Sequence, residues 1–339
     1  MEQQNQLNYH QGPGARPAVF ADLLLVLTTL LWGGGFIVVK MAVDLGLPPF
    51  LILASRFLIA VAVLSVIFIR EFPKAHRNDF LFGIGAGLLL FSAFSAQTFG
   101  MKFTTPSNNA FLTSTNVVMV PFISWLLFRQ RPQPRSVVLA FSCFFGAMVL
   151  AFVPGAGLSL NSGDLLTLLC AFLFALHIAY LGATAPRIRS ASVLNIVQLG
   201  TAGILSALFF LIFDPWVIDL TAFRAGAFAI LYLGVFSTGV CFFFQTYAQR
   251  FVPPTRAAII LSCEGLCGSI LSVLFGYDRV TPQLLCGGII IVSSVLLTEI
   301  HPLELLRKRL GKSPALEQAG LQAETKTPRG APAGQGGPQ

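Results

Sequence analysis

Of the 339 residues, 55% are hydrophobic and only 11% are charged, and the mean hydropathy is +0.76. A soluble domain carries about a quarter of charged residues, so this composition excludes a single water-soluble core and indicates a protein embedded in lipid. The net charge of +8 does not indicate a nucleic-acid partner, because the basic residues fall in predicted loops and a tail where membrane topology accounts for them.

The chain contains ten apolar segments of roughly the length that crosses a bilayer, about 18–23 residues. Residues 1–18 before them and 301–339 after them, the latter basic at first, are predicted to be disordered tails. The sequence therefore predicts an all-α, polytopic membrane protein. The predicted spans lie near 20–39, 49–69, 80–101, 108–128, 136–153, 163–183, 192–213, 224–247, 256–275 and 282–299.

The distribution of Lys and Arg predicts the orientation of these spans. Ten spans place both chain ends on one side of the membrane. If that side is the cytoplasm, most basic residues lie inside, and the outer loops and helix ends hold only Lys40, Lys102, Arg224 and Arg279. The positive-inside rule therefore predicts a multi-pass protein of the cell (cytoplasmic) membrane with both termini cytoplasmic.

The second half of the chain repeats the first. At an offset of 148 residues, 97–134 aligns with 245–282 without a gap, and ten of the 38 positions are identical. An offset of 142 residues aligns the start of each half. Because five spans per half is an odd number, we predict two inverted five-helix repeats, at 19–155 and 162–300. Secondary transporters are built in this way, with the solute site between the repeats.

Several short motifs occur in a meaningful order. The first half carries Leu31-Trp32-Gly33-Gly34-Gly35-Phe36 and Ser55-Arg56-Phe57, the second half opens with Gly163-Asp164-Leu165-Leu166, and the ninth span contains Ser262-Cys263-Glu264-Gly265. Over about residues 20–300 this series resembles the drug/metabolite transporter superfamily, in its ten-helix EamA-type branch. The resemblance implies movement of amino acids, metabolites or drugs, often outward.

The chain also departs from that family's patterns. Gly265 stands where a Pro is usual. Arg129-Gln130-Arg131 and Tyr277-Asp278-Arg279 stand where Gly-Glu-Arg is frequent. The resemblance therefore implies a transporter of small organic solutes without specifying the solute.

Two ionisable residues within predicted spans are the main site candidates, because charged groups in a membrane usually face a cavity or a partner. Glu264 is suited to carrying a coupling proton or holding a substrate amine; alternatively it is a neutral carboxyl bonded to a neighbouring helix. Arg56 is suited to capturing a carboxylate or phosphate; alternatively it reaches towards lipid headgroups. If both face one chamber, they either hold the two ends of a zwitterion or pair with each other.

Further candidates are polar or aromatic residues within spans. Four amides, Gln97, Gln245, Asn116 and Gln198, are suited to hydrogen bonding a solute, and His177 is a candidate for a group that changes charge near neutral pH. Hydrogen bonds between helices are the alternative for all five. Trp32 is a candidate for the cavity wall or for packing against lipid. Gly33, Gly34 and Gly35 after it are a candidate hinge or tight gate contact.

No metal site or cofactor is predicted. The six cysteines lack the spacing of a disulfide framework or a CxxC site, although Cys263 and Cys267, one helical turn apart, would permit a soft-metal site. An enzyme is disfavoured because HExxH, GxSxG and P-loop motifs are absent. The expected partners are a small-molecule substrate, the bilayer and, as a candidate, protons; monomer and homodimer both remain open. A channel or a membrane sensor is the alternative to a transporter.

Overall fold

The computed structural model describes residues 15–128, 160–214, 219–252 and 254–299, together with short pieces between 138 and 158. The helices of the first half are α1 (Ala15–Asp44), α2 (Pro49–Ile67), α3 (Arg77–Gly100), α4 (Pro106–Ser114) and α5 (Asn116–Phe128), with a 3₁₀ turn at Ile69–Lys74. Those of the second half are α6 (Ser162–Thr184), α7 (Ala191–Phe213), α8 (Leu220–Ala225), α9 (Ala227–Leu231), a π-helix (Tyr232–Val240), α10 (Cys241–Ala248), α11 (Pro254–Ser262), α12 (Glu264–Leu274) and α13 (Pro282–Glu299), with a 3₁₀ turn at Ala185–Arg187.

Within these ranges, eight helical runs are long and apolar enough to cross a membrane, and a ninth, Pro282–Ser294, is apolar but shorter. They coincide with nine of the ten predicted spans, and the predicted all-α, polytopic architecture is confirmed. The predicted fifth span, 136–153, lies largely outside the described residues. Phe152–Val153 at its end forms a short strand instead, paired antiparallel with Gly157–Leu158. Helix α1 begins at Ala15, within the predicted N-terminal tail 1–18. The count of ten helices, the inversion of the repeats and the remainder of both tails stay predictions.

Local polar signals explain where several helices begin. Pro49 opens α2, where its missing N–H leaves no bond unmade. His76 and Asp79 form a capping box at the start of α3, and Asn161 and Asp164 form another at α6. In each box the first side chain accepts a hydrogen bond from a backbone N–H of the first turn, and the Asp side chain accepts one from the backbone N–H of the first residue. These bonds satisfy N–H groups that otherwise lack a partner at the start of a helix.

Two predicted spans are broken at equivalent positions. The fourth is interrupted at Thr115 and the ninth at Cys263, which are 148 residues apart. At each break the backbone N–H bonds the carbonyl three residues earlier, at 3.2 and 3.3 Å, so the α-helical pattern lapses for one turn. The residues that follow are Asn116 and Glu264. Both polar candidates therefore begin a new helical segment, which the sequence analysis did not predict.

The eighth predicted span, 224–247, also differs from a continuous α-helix. Its middle is the nine-residue π-helix Tyr232–Val240, between α9 and α10. The Cys241 N–H bonds the carbonyl of Phe236, five residues earlier, as in a π-helix. Such segments are rare and are found frequently at functional sites.

The helices enclose an aromatic core. Helix α3 packs against α6 and α7, and α2 packs against α7 and the π-helix. Phe57, Phe94 and Phe242 are buried at the centre of this packing. Large aliphatic side chains such as Leu208 and Leu274 remain exposed on the outside, as expected where the surroundings are lipid tails.

Candidate functional site

A cavity lies between the two halves of the chain. Its empty volume is about 560 Å³, a value that includes the part open to the surroundings. The wall includes residues from α1, α2, α3 and α5 of the first half and from α6, α10, α11 and α12 of the second, as well as the π-helix. Both halves therefore contribute to one chamber.

Residues at repeat-equivalent positions meet around this cavity. Four such pairs line it: Trp32 and Phe174, Phe36 and Ile178, Gln97 and Gln245, and Asn116 and Glu264. Another pair, Phe94 and Phe242, makes direct ring contact, with centroids 5.7 Å apart. The cavity thus lies where the two aligned halves face each other.

Arg56 lines the cavity and is only 2% exposed. Its Nε donates to Thr238 Oγ1 at 2.8 Å and its Nη2 donates to Ser237 Oγ at 3.2 Å. The guanidinium carbon lies 4.4 Å from the centroid of the Phe94 ring, a cation–π contact. Within the described residues no carboxylate lies within ion-pair distance of Arg56, so the structure holds this cation with neutral groups.

Glu264 lines the same cavity and is 5% exposed. In the described part of the chain its carboxyl makes no hydrogen bond or ion pair. The structure therefore brings Glu264 and Arg56 to one chamber without joining them. Among the described residues, Glu264 neither pairs with Arg56 nor hydrogen bonds to a neighbouring helix, the two alternatives that the sequence left open. A carboxyl and a guanidinium in one wall are suited to binding a solute that has both an amino and an acidic group.

Three of the predicted amides also line the cavity. Gln97 Nε2 donates to Thr113 Oγ1 at 3.3 Å. The side-chain oxygens of Asn116 and Gln245 are buried and have no hydrogen-bond partner among the described residues. Buried polar atoms normally have a partner, so these two oxygens are unsatisfied hydrogen-bond acceptors on residues of the cavity wall.

Gln198 and His177 are placed differently from the other candidates. Both are fully buried and neither is in the cavity wall. His177 Nε2 lies 3.0 Å from Gln198 Oε1, and Gln198 Nε2 donates to Asn195 Oδ1 at 2.7 Å and to Thr246 Oγ1 at 3.1 Å. These contacts join α6, α7 and α10, which is the alternative that the sequence left open for them.

Trp32 and the glycines after it lie at helix contacts. Trp32 lines the cavity and its Nε1 donates to the carbonyl of Ser237 at 2.7 Å. Helix α1 continues without interruption through the three glycines. A Cβ at Gly33 would lie 2.5 Å from the Cβ of Cys267, so this glycine permits close approach of α1 and α12. Gly34 and Gly35 face Tyr232 and Ser237 in the same manner.

The described residues contain no group of three or more His, Cys, Asp or Glu side chains placed to hold a metal ion. Cys263 and Cys267 are partly exposed free thiols. The absence of a metal site remains a prediction.

Sequence reasoning missed Ser237, Thr238 and Phe94, which surround the Arg56 guanidinium. A π-helix has no recognisable sequence signal, and hydroxyl or phenyl side chains are common in apolar spans. The breaks at Thr115 and Cys263 had a weak signal, because Ser114 and Ser262 before them are identical in the two repeats.

Curated relatives of the chain are named as transporters. An "Uncharacterized transporter" of Archaeoglobus fulgidus is 33% identical over 286 residues, covering 84% of this chain and 87% of the relative. An "Uncharacterized transporter YetK" of Bacillus subtilis is 26% identical over 259 residues, covering 71% of this chain and 74% of the relative. These names point to transport rather than catalysis.

A solved structure, titled only as the crystal structure of a protein, has the same fold. Its TM-score is 0.62 at 20% identity, and the match covers 86% of this chain and 99% of that one.

The EamA-like transporter family model matches the chain twice, at residues 19–152 and 161–300. The two matches cover most of the sequence and fall on the two halves whose residues line the cavity. The resemblance found in the sequence motifs is confirmed: the chain is a multi-pass membrane protein that belongs to the EamA-like transporter family.

Proposed function

We propose that this protein is a secondary transporter of small organic solutes that carry both an amino and an acidic group, amino acids being the simplest case. The observation that supports this most directly is that Arg56 and Glu264 line one cavity and neither has an oppositely charged partner in the described residues. A solute with a carboxylate and an ammonium group would supply both missing partners.

The other lining residues fit such a solute. The unpartnered oxygens of Asn116 and Gln245 can accept hydrogen bonds from its amino group. Trp32, Phe36 and Phe174 offer apolar surface to the rest of the molecule. A site with a few polar groups in an otherwise apolar wall is typical of small-molecule binding.

Alternating access between the two halves is the proposed mechanism, because the cavity lies between segments that align as repeats. We propose export across the cell membrane with both termini in the cytoplasm, and a proton carried by Glu264 as the coupling ion. Accessibility of a reporter fused to either terminus in intact cells tests the orientation.

Transport itself is tested with the full-length protein in liposomes. Labelled alanine, leucine, lysine, glutamate and phenylalanine are offered with and without unlabelled solute inside. Saturable uptake that increases with internal solute supports a carrier. Uptake without this counterflow would indicate a channel, and binding without uptake a sensor. No uptake of any of the five amino acids by a folded protein would contradict the proposed substrate class.

The two ends of the site are tested separately with leucine, leucinamide and 4-methylpentanoate, which retain both polar groups, the amino group alone or the acid alone. Arg56→Gln is expected to weaken uptake of leucine and 4-methylpentanoate and to leave leucinamide unchanged. Glu264→Gln is expected to weaken uptake of leucine and leucinamide, and to abolish stimulation by a pH gradient. Equal loss for all three solutes in both variants would indicate damaged folding rather than recognition.

A further inference from the structure

We infer that the π-helix Tyr232–Val240 aims Arg56 into the cavity, with Ser237 and Thr238 as positioning residues for recognition of the acidic end of the solute. This inference rests on the proposed function, because it assigns to Arg56 the role of binding that end. It adds two residues and one helical segment to the site.

The hydrogen bonds of Arg56 define how it is held. Thr238 Oγ1 accepts from Nε at 2.8 Å and Ser237 Oγ accepts from Nη2 at 3.2 Å, while the ring of Phe94 lies against the guanidinium. A guanidinium has five N–H donors. The others have no partner among the described residues, and Arg56 is in the cavity wall. The guanidinium is therefore held through Nε and Nη2, and its remaining N–H groups can donate to a ligand.

The chemistry of the two partners matters as much as their position. A carboxylate in place of either hydroxyl would neutralise Arg56 and compete with an acidic solute. A hydroxyl accepts the hydrogen bond without contributing charge. Ser237 and Thr238 thus fix the orientation of the cation while its positive charge remains available to a ligand.

The π-helical geometry explains how adjacent residues reach one guanidinium. In an α-helix, side chains at neighbouring positions do not face each other. Bonds that span five residues widen the helix, so successive side chains diverge less around its axis. Ser237 and Thr238 lie within this segment and both contact Arg56.

The π-helix is also fastened close to α1 and α2. A Cβ at Gly234 would lie 2.7 Å from Cγ2 of Ile59 and 3.3 Å from the carbonyl of Arg56, so only glycine permits this approach. Trp32 Nε1 donates to the Ser237 carbonyl at 2.7 Å, and the Tyr232 hydroxyl donates to the Leu31 carbonyl at 2.9 Å. The side chains of Ser237 and Thr238 are short, and these contacts bring their hydroxyl groups within hydrogen-bond distance of Arg56.

The test compares Thr238→Val, which preserves shape but removes the hydroxyl, with Thr238→Ser, which retains the hydroxyl. Apparent KM and maximal rate are measured in liposomes for leucine and leucinamide. Thr238→Val and Ser237→Ala are each expected to raise the KM for leucine at least tenfold with little change for leucinamide, and Thr238→Ser to remain near wild type. Thr201→Val is the matched control, because the Thr201 hydroxyl donates to the backbone of its own helix at Val197.

Equal changes for leucine and leucinamide, or a Thr238→Ser variant as impaired as Thr238→Val, would overturn the inference. If Arg56→Gln alters the preference for leucine while neither hydroxyl variant does, the proposed function stands and only the positioning role fails. If Arg56→Gln leaves the preference unchanged, both fail.

A structure of the Thr238→Val, Ser237→Ala double variant tests positioning without any solute. Displacement of the guanidinium from Phe94 supports the inference. A guanidinium that still lies on the Phe94 ring and points into the cavity overturns it, even if no tested solute is transported.

Discussion

The first half of the chain places a cation, Arg56, where the aligned position of the second half is Gln198. The second half places a carboxylate, Glu264, where the first half has Asn116. Around these positions the repeats remain alike, with Gln97 facing the cavity from one half and Gln245 from the other. The duplicated framework thus supplies a roughly symmetric chamber. Each half also contributes one ionisable side chain to the wall, and the two, Arg56 and Glu264, are of opposite type.

The glycines after Trp32 show a second difference between the halves. Gly33 aligns with Ala175 and Gly35 with His177 at the offset of 142. The first half uses small residues where α1 approaches α12 and the π-helix, whereas the second half uses His177 in a hydrogen-bond network with Gln198. In the first half, which has the glycines, Arg56 reaches the cavity. In the second half, which has the hydrogen-bond network, Gln198 lies outside the cavity wall.

Replacing Glu264 by asparagine, the residue at the aligned position 116, is expected to have the largest effect. Glu264→Asn alone should reduce leucine uptake about 10- to 100-fold, matching the roughly 1.5–3 kcal/mol of a hydrogen bond to a charged group. Asn116→Glu with Glu264→Asn should recover most of that loss, because both positions line the cavity and follow equivalent helix breaks. Uptake kinetics in liposomes measure both variants, with Asn116→Glu alone as the control. A double variant as inactive as Glu264→Asn would show that the halves are not interchangeable.

Replacing Gly33 by alanine, the residue at the aligned position 175, should mainly affect stability. Gly33→Ala introduces a methyl group 2.5 Å from the Cβ of Cys267, and overpacking of this kind costs about 1–3 kcal/mol. Gly34→Ala should cost less, because the atom it meets is the terminal hydroxyl of Tyr232. Melting temperatures of the purified variants in detergent test this order. Unchanged stability with reduced transport in Gly33→Ala would instead support the predicted hinge.

The remaining comparison concerns the hydrogen bonds that aspartates make at the two ends of α7. At its start, buried Asp79 accepts hydrogen bonds from the backbone N–H groups of Arg189 and Ser190 at 2.8 and 3.3 Å. At its end, Asp214 accepts one from the N–H of Phe50, at the start of α2. Asp79→Ala should lower the free energy of unfolding by about 2–3 kcal/mol, since it leaves buried donors unpaired. Asp214→Ala should cost about 1 kcal/mol, the usual value for a helix cap. Thermal or denaturant unfolding that gives the reverse order would contradict this assignment.

Features that depend on the order of residues along the chain could be predicted from the sequence. Segment length and hydropathy predict the spans, the internal alignment predicts the repeats, and buried charge singles out Arg56 and Glu264. The cavity face of each helix was not predictable, because lipid-facing and core-facing sides are both apolar and little periodicity distinguishes them. Gln198 was singled out by the same reasoning as Gln97, and only the packing of α7 separates them. The π-helix contacts α1 and α2, which are distant from it in sequence.

The unneutralised charge of Arg56 has a consequence for energy conversion. A cation held within a membrane span experiences the transmembrane electric field, and moving one elementary charge across 100 mV changes the free energy by about 2.3 kcal/mol. Any rearrangement of α2 relative to the bilayer would move this charge through part of that voltage drop. A purely acidic solute bound to Arg56 would cancel this charge and change the response to voltage, whereas a zwitterionic amino acid has no net charge and would leave the net charge of the site unchanged.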